Sequence, residues 1–334
     1  MYMKLPESFL TRMQQMLGDE YEPFLASYDQ PAARGLRVNL LKAGPELTLP
    51  FPTSPVEWCP TGHRYSGELR PGLHPWHDAG VYYIQEPSAM AVAEIAAPQP
   101  GERVLDLCAA PGGKTSHLAS LAGDQCLLIS NEIHPQRARI LSRNVERMGI
   151  CNAAVLNETP DRLAERFSSF FDCIVVDAPC SGEGMFRKEP VALEEWSEEN
   201  VALCASRQDE ILDAALQMLA PGGRLIYSTC TFAPAEDEGT LSRLLERYPK
   251  LELADLPEAP GFVPARADWY IPAAPGIEKA VRLFPHRLCG EGHFAAKLVR
   301  RGEEGIRRSA PVSSARKPGK SQISPPGRSS AARP

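Results

Sequence analysis

From about residue 101 the chain repeats one pattern: a short apolar run, a turn, then a segment with apolar residues at helical spacing. The runs are "RVLDLCAA", "CLLISNEI", "AAVLNE", "DCIVVDAP", "GRLIYSTC" and "HFAAKLVR". Helical spacing places Ala138, Leu141, Val145 and Met148 together in residues 136 to 148, and Ile211, Ala215, Met218 and Leu219 together before Pro221. Strands alternating with helices argue for an α/β fold with a mostly parallel, doubly wound sheet. In such sheets ligands lie beyond the carboxyl ends of the strands, so the chemistry is to be sought there.

Residues 1–75 read differently. An amphipathic start (Phe9, Met13, Met16, Leu17) leads into "RGLRVNLLK" and then the proline-rich "TLPFPTSPVEWCP". The expected organisation is a small N-terminal α+β module over 1–75, a Rossmann-like domain over 76–300 and a tail over 301–334. No internal repeat is visible. The net charge of −6 conceals a split: from Arg300 onward nine Lys and Arg stand against two Asp and Glu, +7, which leaves 27 − 40 = −13 for residues 1–299. The tail is rich in Ser, Pro, Gly and basic residues and is expected to be disordered, either as a solvated terminus or with weak attraction for nucleic acid.

Several classes are set aside by composition. No run of 18 apolar residues occurs and "MYMKLPESFL" lacks the features of a signal peptide, so a cytoplasmic protein with no membrane contact is expected. Nine cysteines with no C-x-x-C pair suggest neither a disulfide framework nor a zinc site. His63, His74 and His77 cluster in sequence without cysteine or carboxylate partners at ligand spacing, and no metal is expected.

Two strand ends carry chemistry of the nucleoside type. After the first strand, "DLCAAPGGKTSHLA" places Gly112 and Gly113 at the start of a helix, where the backbone approaches a ligand closely. The segment fails the phosphate-loop pattern, since Cys108 stands where that motif needs glycine, and it is not G-x-G-x-x-G. Glu132 follows Gly112 by twenty residues, the distance at which an acid accepts hydrogen bonds from ribose hydroxyls. A nucleoside-bearing cofactor with few phosphates suits this pair, and S-adenosylmethionine fits best. Asn157, ending the third strand, is a candidate for the adenine edge.

The next two strand ends carry thiols. "CIVVDAPCSGEGMF" holds Asp177 and Cys180, and "RLIYSTCTF" holds Cys230. If these strands end at Asp177 and Thr229, then Asp177, Cys180 and Cys230 converge on the cofactor rim. Methylation of cytosine at carbon 5 requires a thiolate to add at carbon 6, an acid near ring nitrogen 3, and a base to remove the carbon 5 proton. Asp177 suits the second task if it carries or shares a proton, the two thiols offer a nucleophile and a group for release, and Lys114 can lower a thiol pKa and contact the base oxygen. Which thiol attacks is left open by the residues alone.

These segments resemble the Nop/Sun family of RNA (cytosine-5)-methyltransferases, most closely its bacterial ribosomal-RNA branch. The resemblance covers about residues 30 to 300 and rests on "RVNLLK", "GVYYIQEPSAM", "VLDLCAAPGGKTSHLA", "NEIHPQRARILSRNVERMG", "VVDAPCSGEGMFRK", "LIYSTCTFAPAEDE" and "RLFPHRLCGEGHFAAKL". It implies the Rossmann-like S-adenosylmethionine-dependent methyltransferase fold, with Cys230 as nucleophile, Cys180 as the thiol that assists release, and Asp177 and Lys114 holding the target base. It implies cofactor contacts at Cys108, Ala109, Ala110, Pro111, Gly112, Gly113, Lys114, Glu132, Arg137, Asn157 and Asp177. Arg187 and Lys188 would meet RNA phosphates. The implied partner is RNA, with ribosomal RNA the leading substrate, bound with the N-terminal module's help by a monomer, and the target cytosine must be unpaired or flipped out.

Members of that branch continue into further RNA-binding domains, whereas here "GHFAAKLVRR" leads into the basic tail. Either the chain is shortened relative to them or the tail and N-terminal module find the RNA. Asp237 stands where Asn is frequent. The rivals are a transfer-RNA 5-methylcytosine enzyme, an amino-methylating enzyme, which needs no thiol and carries an Asn/Asp-Pro-Pro-aromatic motif instead of Asp-Ala-Pro-Cys, and a non-catalytic ribosome-assembly factor, which would have lost a reactive residue.

Overall fold

A computed structural model describes residues 4–302 apart from 45 and 124. The tail expected over 301–334 therefore lies outside the described residues from 303 onward. The described chain contains a small four-stranded sheet, built from β1 (Gly35–Val38), β2 (Ser54–Val56), β3 (Cys59–Arg64) and β4 (Tyr82–Ile84), and a nine-stranded sheet. The larger sheet contains β5 (Arg103–Asp106), β6 (Leu127–Asn131), β7 (Ala153–Leu156), β8 (Phe171–Asp177), β9 (Leu219–Thr229), β10 (Leu251–Ala254), β11 (Phe262–Pro264), β12 (Val281–Leu283) and β13 (His293–Arg300).

The large sheet runs in the order β7-β6-β5-β8-β9-β13-β12-β11. The five strands from β7 to β9 pair in parallel. β13 then lies antiparallel to β9, and β12 and β10 share its outer edge along different halves. From β5 the chain moves outward through β6 and β7, then returns to place β8 on the other side of β5. This reversal opens a crevice at the carboxyl ends of β5 and β8, where a doubly wound sheet binds its ligand.

Burial on both faces explains the near-continuous apolar runs. Within β8, Cys173 and Val175 enter one core with Val104, Leu128 and the helix Pro87–Ala96. Ile174 and Val176 alternate to the opposite core with Leu105, Ile129 and the long helix Glu198–Met218. The helix Pro135–Met148 buries Ala138, Leu141, Val145 and Met148, the four positions set by its period, and ends at Gly149 in the left-handed conformation (φ 74°).

The N-terminal segment does not form a separate globule. Its sheet includes Tyr82–Ile84, past the boundary expected at residue 75. "RVNLLK" docks that sheet on the large domain: the buried Arg37 guanidinium donates to Ser116 Oγ (2.8 Å) and Gly113 O (3.3 Å), Asn39 Nδ2 to Met148 O (2.8 Å), and Leu40 N to Ser120 Oγ (2.9 Å). The first helix, Glu7–Leu17, packs elsewhere. Its Phe9 meets Phe186 edge to face at 5.3 Å between ring centres and lies 6.2 Å from Trp196, within a cluster that includes Phe232 and Phe284. The amphipathic start thus covers the loops that follow the two candidate thiols.

Phe9 is fully buried, and truncating such a ring costs about 3–5 kcal/mol. Phe9→Ala should therefore lower the thermal midpoint measurably in a melt followed by circular dichroism. An unchanged midpoint would mean that the first helix is not docked in solution.

Candidate active site at the carboxyl rim of the sheet

Each strand of the parallel half delivers one element of the site. β5 ends at Asp106 and continues through Cys108, Ala109, Ala110 and Pro111 to Gly112, which caps the helix Gly113–Ala122 at φ 110°. A side chain at 112 would be strained at that φ and would press to 3.1 Å from Leu141 Cδ1, so glycine is required for the turn to lie this close to the neighbouring helix. Ala109 N donates to Asn131 O (2.8 Å), and Ala110 O and Pro111 O accept from Arg137 Nη2 (2.9 Å) and Asn144 Nδ2 (2.8 Å). The loop is thereby held from the helix behind it. Cys108 is half-buried, and burial raises its thiol, which makes it an inert lining group.

β6 leads to Glu132, whose buried carboxylate accepts from His134 N (2.9 Å) and lies 3.4 Å from Arg137 Nη1. Asn157, exposed beyond β7, donates from Nδ2 to Glu132 O (2.6 Å) and Ile133 O (2.9 Å). Its amide N–H groups hold the turn that carries Glu132, which leaves Oδ1 as the part of its side chain for any other partner. Asp106 accepts beneath this loop: Thr115 Oγ1 donates to Oδ2 (2.7 Å), while Oδ1 is buried without a hydrogen-bond partner. Burial pushes its carboxyl up to about 7, with the Thr115 hydrogen bond opposing.

β8 and β9 end side by side. Lys114 Nζ donates to Asp177 Oδ2 at 2.6 Å, Ser228 Oγ donates to Oδ1 at 2.8 Å, and His293 Nε2 lies 3.5 Å from Oδ1. Burial works against an ionised Asp177, but Lys114 and His293 outweigh it and hold the carboxyl well below its ordinary range. Burial likewise opposes a charged Lys114, and Asp177 overcomes it and holds the ammonium above its ordinary value. The direction of this shift favours the carboxylate over the protonated Asp177 considered from sequence and leaves a proton shared with the base as the other reading.

The two thiols meet. Cys180 Sγ lies 3.3 Å from Cys230 Sγ, and both side chains are partly accessible. The contact with Cys230, together with burial, raises the Cys180 thiol well above its usual value. Gly184 N donates to Cys230 O (2.8 Å), so the turn after Cys180 folds back onto the turn at Cys230.

Other sequence expectations fare differently. Arg187 does not face solvent. Its guanidinium is buried and donates to Glu291 Oε2 (2.8 Å), Ser27 O (2.7 Å) and Gly290 O (2.9 Å), which leaves it no free donor pair for a phosphate. Lys188 is exposed. Asp237 is fully buried, accepts from Thr229 Oγ1 (2.6 Å) and lies 3.1 Å from Arg282 Nη1. Burial raises its carboxyl well above the usual range despite Arg282, toward the neutral form whose shape matches Asn. Among the described residues one trio has metal-donor types within 4.8 Å, Cys59, Glu94 and His117. His117 Nε2 and Glu94 Oε1 are already hydrogen-bonded at 3.0 Å, and the buried Arg37 charge beside them opposes a cation. His293, Ser228, Asp106 and Glu236 were not singled out from sequence. The only signal for His293 was its place in "GEGHFAAKL", at the start of β13.

A nine-stranded sheet with a parallel half, a glycine turn and a buried acid at its switch point, and an antiparallel β13 beside β9 define the Rossmann-like fold of S-adenosylmethionine-dependent methyltransferases. A family model described as 16S rRNA methyltransferase RsmB/F matches residues 93–299, and one described as the N-terminal domain of 16S rRNA methyltransferase RsmF matches residues 5–87. The chain belongs to this RsmB/F methyltransferase family. It is 37% identical over 313 residues to ribosomal RNA small subunit methyltransferase F of Citrobacter koseri and 36% identical to that of Escherichia coli O127:H6. Each match covers 88% of this chain and 63% of the relative, so the chain spans less than two thirds of their length. A methyltransferase homolog protein from Pyrococcus horikoshii superposes with a TM-score of 0.79 at 29% identity, over 89% of this chain and 96% of that one. The cofactor of this chain is S-adenosylmethionine.

The Asp106 carboxyl at about 7 has a consequence for stability. Between its ordinary value of 3.8 and about 7 the folded state holds a proton that the unfolded state has lost, so rising pH removes stability across that window. Asp106→Asn should therefore show a smaller fall in thermal midpoint from pH 5 to pH 8 than the wild type. Equal falls would mean that Asp106 is ionised in the fold.

Proposed function

We propose that this protein is an S-adenosylmethionine-dependent RNA methyltransferase that forms 5-methylcytosine in 16S ribosomal RNA through a covalent Cys230–cytosine intermediate. The names of its relatives support ribosomal RNA as the substrate. The observation that carries the chemistry is the 3.3 Å pairing of two thiols beside an ionised Asp177–Lys114 pair at the cofactor rim. A methyltransferase acting on an amine or hydroxyl has no use for two thiols there.

The residues present fit the cofactor. Glu132 presents a buried carboxylate suited to ribose hydroxyls, and Asp106 has an unpartnered buried oxygen beneath the loop. The loop Cys108–Lys114, Glu132, Arg137, Asn157 and Asp177 are the residues assigned to hold it. Bound there, S-adenosylmethionine supplies a methyl group to carbon 5 of the base.

The chain's own residues do the rest. Cys230 Sγ adds to carbon 6 of cytosine, forming the S–C6 bond and moving the C5=C6 electron pair to carbon 5. The thiol proton that is lost is matched by one gained at ring nitrogen 3, so the addition creates no net charge. Ionised Asp177 favours that protonated ring, because a carboxylate accepts hydrogen bonds from N3–H and from the exocyclic amine together. Lys114 offsets the carboxylate charge and is placed to donate to the base oxygen. After methyl transfer the carbon 5 proton is lost to solvent with Cys180 assisting, its electron pair re-forms C5=C6, the S–C6 bond breaks with its pair going to the Cys230 sulfur, and nitrogen 3 returns its proton to that thiolate.

The test is a denaturing gel of wild type, Cys180→Ala and Cys230→Ala incubated with S-adenosylmethionine and bacterial ribosomal RNA. Cys180→Ala should accumulate a protein–RNA adduct, and Cys230→Ala should give neither adduct nor methyl transfer. If both variants methylate RNA without any adduct, the covalent mechanism is wrong.

A further inference from the structure

The residues that immediately follow the two thiols meet each other, and the first of them is held by a buried carboxylate. Ser181 N and Ser181 Oγ both donate to Glu236, at 3.0 and 2.5 Å, and Ser181 Oγ lies 2.8 Å from Thr231 Oγ1. Gln208 Nε2, on the long helix Glu198–Met218, donates to Glu236 Oε2 (2.8 Å) and to Pro179 O (3.1 Å). Glu236 therefore joins the Cys180 turn, the Cys230 turn and the helix beneath them. Its side chain is fully buried, and the donors that hold it are neutral. A buried carboxylate without a cation is costly, and burial pushes this one up to about 7.

The charges around the two thiols are unequal. Contact with Cys230 and burial do most to raise the Cys180 thiol and Glu236 adds to them, whereas the Lys114 ammonium interacts with Cys230. Two cysteines in van der Waals contact would otherwise compete to attack, since thiolate character decides reactivity. The groups facing Glu236 are Cys180, Ser181 and Glu183 from the turn after β8, Cys204 and Gln208 from the long helix, Tyr227 and Thr231 from β9 and its turn, and the neighbouring Asp237.

We infer that Glu236 is a positioning residue for the two thiols: through Ser181, which it holds against Thr231, it sets the register of the two cysteine turns, and its charge adds to the thiol contact and burial that disfavour a Cys180 thiolate, leaving Cys230 to attack. This rests on the covalent reading proposed above.

The test uses the full chain. Wild type, Glu236→Gln, Glu236→Asp and Ser181→Ala are alkylated with iodoacetamide across pH 6–9, and the Cys180 and Cys230 peptides are quantified by mass spectrometry. Glu236→Gln keeps the size and removes the charge. It should speed Cys180 alkylation at pH 7.5 by about tenfold, the effect of one pKa unit on thiolate fraction, and leave Cys230 within about twofold. Glu236→Asp, which keeps the charge, should restore the slow Cys180 rate. Ser181→Ala keeps the charge and loosens only the hydroxyl link, so it should lower kcat by about tenfold with KM for RNA unchanged, as expected for loss of geometry made in the transition state. Cys180 alkylation at the wild-type rate in folded Glu236→Gln overturns the charge role. Should that variant not fold, an unchanged kcat in Ser181→Ala overturns the register role. Cys180→Ala with S-adenosylmethionine and ribosomal RNA is run alongside. If it gives no adduct, the covalent reading fails and the inference falls with it, whereas an adduct there with no change in Glu236→Gln and Ser181→Ala sinks the inference alone.

Discussion

The ion pair between Lys114 and Asp177 is the contact on which the site depends. It joins the helix after the glycine turn to the end of β8, across the crevice where the strand order reverses. Removing two charges from water is unfavourable, and the cost is offset only where geometry is good and the remaining lone pairs are satisfied. Here the Nζ–Oδ2 distance is 2.6 Å and Ser228 satisfies the other oxygen. The pair therefore serves two ends at once. It favours the ionised form of Asp177 at the rim, and it fixes the start of the helix after the glycine turn against the strand that leads to Cys180.

A second layer of polar contacts surrounds this pair. Glu236 gathers the turns after Cys180 and Cys230, and Glu183, also buried, accepts from Arg12 (2.5 Å), Trp196 Nε1 (2.9 Å) and Phe232 N (3.1 Å). Arg12 comes from the first helix, so the N-terminal segment reaches the loop that follows Cys180. Arg187 turns inward to Glu291 and the carbonyl of Ser27, and Glu20 pairs with His286 and Arg287. The amino-terminal helices are thereby built into the wall of the site. Any RNA gripped by the N-terminal segment would bear directly on the cysteine turns, with no flexible linker between them.

Much of this architecture was legible in residue patterns. The period-2 and period-3.6 signals report local geometry, so the strand ends at Asp177 and Thr229 and the buried face of Pro135–Met148 lie where the pattern puts them. The failures share one cause. Arg187 reads as a cation beside a motif, and only the fold brings Glu291 from 104 positions away to neutralise it. The boundary at residue 75 follows a change in composition, whereas the small sheet is completed by Tyr82–Ile84 because β4 pairs with β1. His293 and Glu236 carry no local signature, since each acts through a contact with a strand or turn distant in sequence.

By itself the sequence determined the order of elements, the two-sided burial of the sheet, and the residue types available at its carboxyl rim: two thiols, a lysine and several acids. These are consequences of spacing along one chain. Tertiary structure alone decided that Lys114 pairs with Asp177, that Cys180 and Cys230 touch, and that the buried Glu236 holds Ser181 against Thr231. Those properties depend on distances between residues some fifty positions apart, and on desolvation, which acts only once the strands have paired and water has left the crevice.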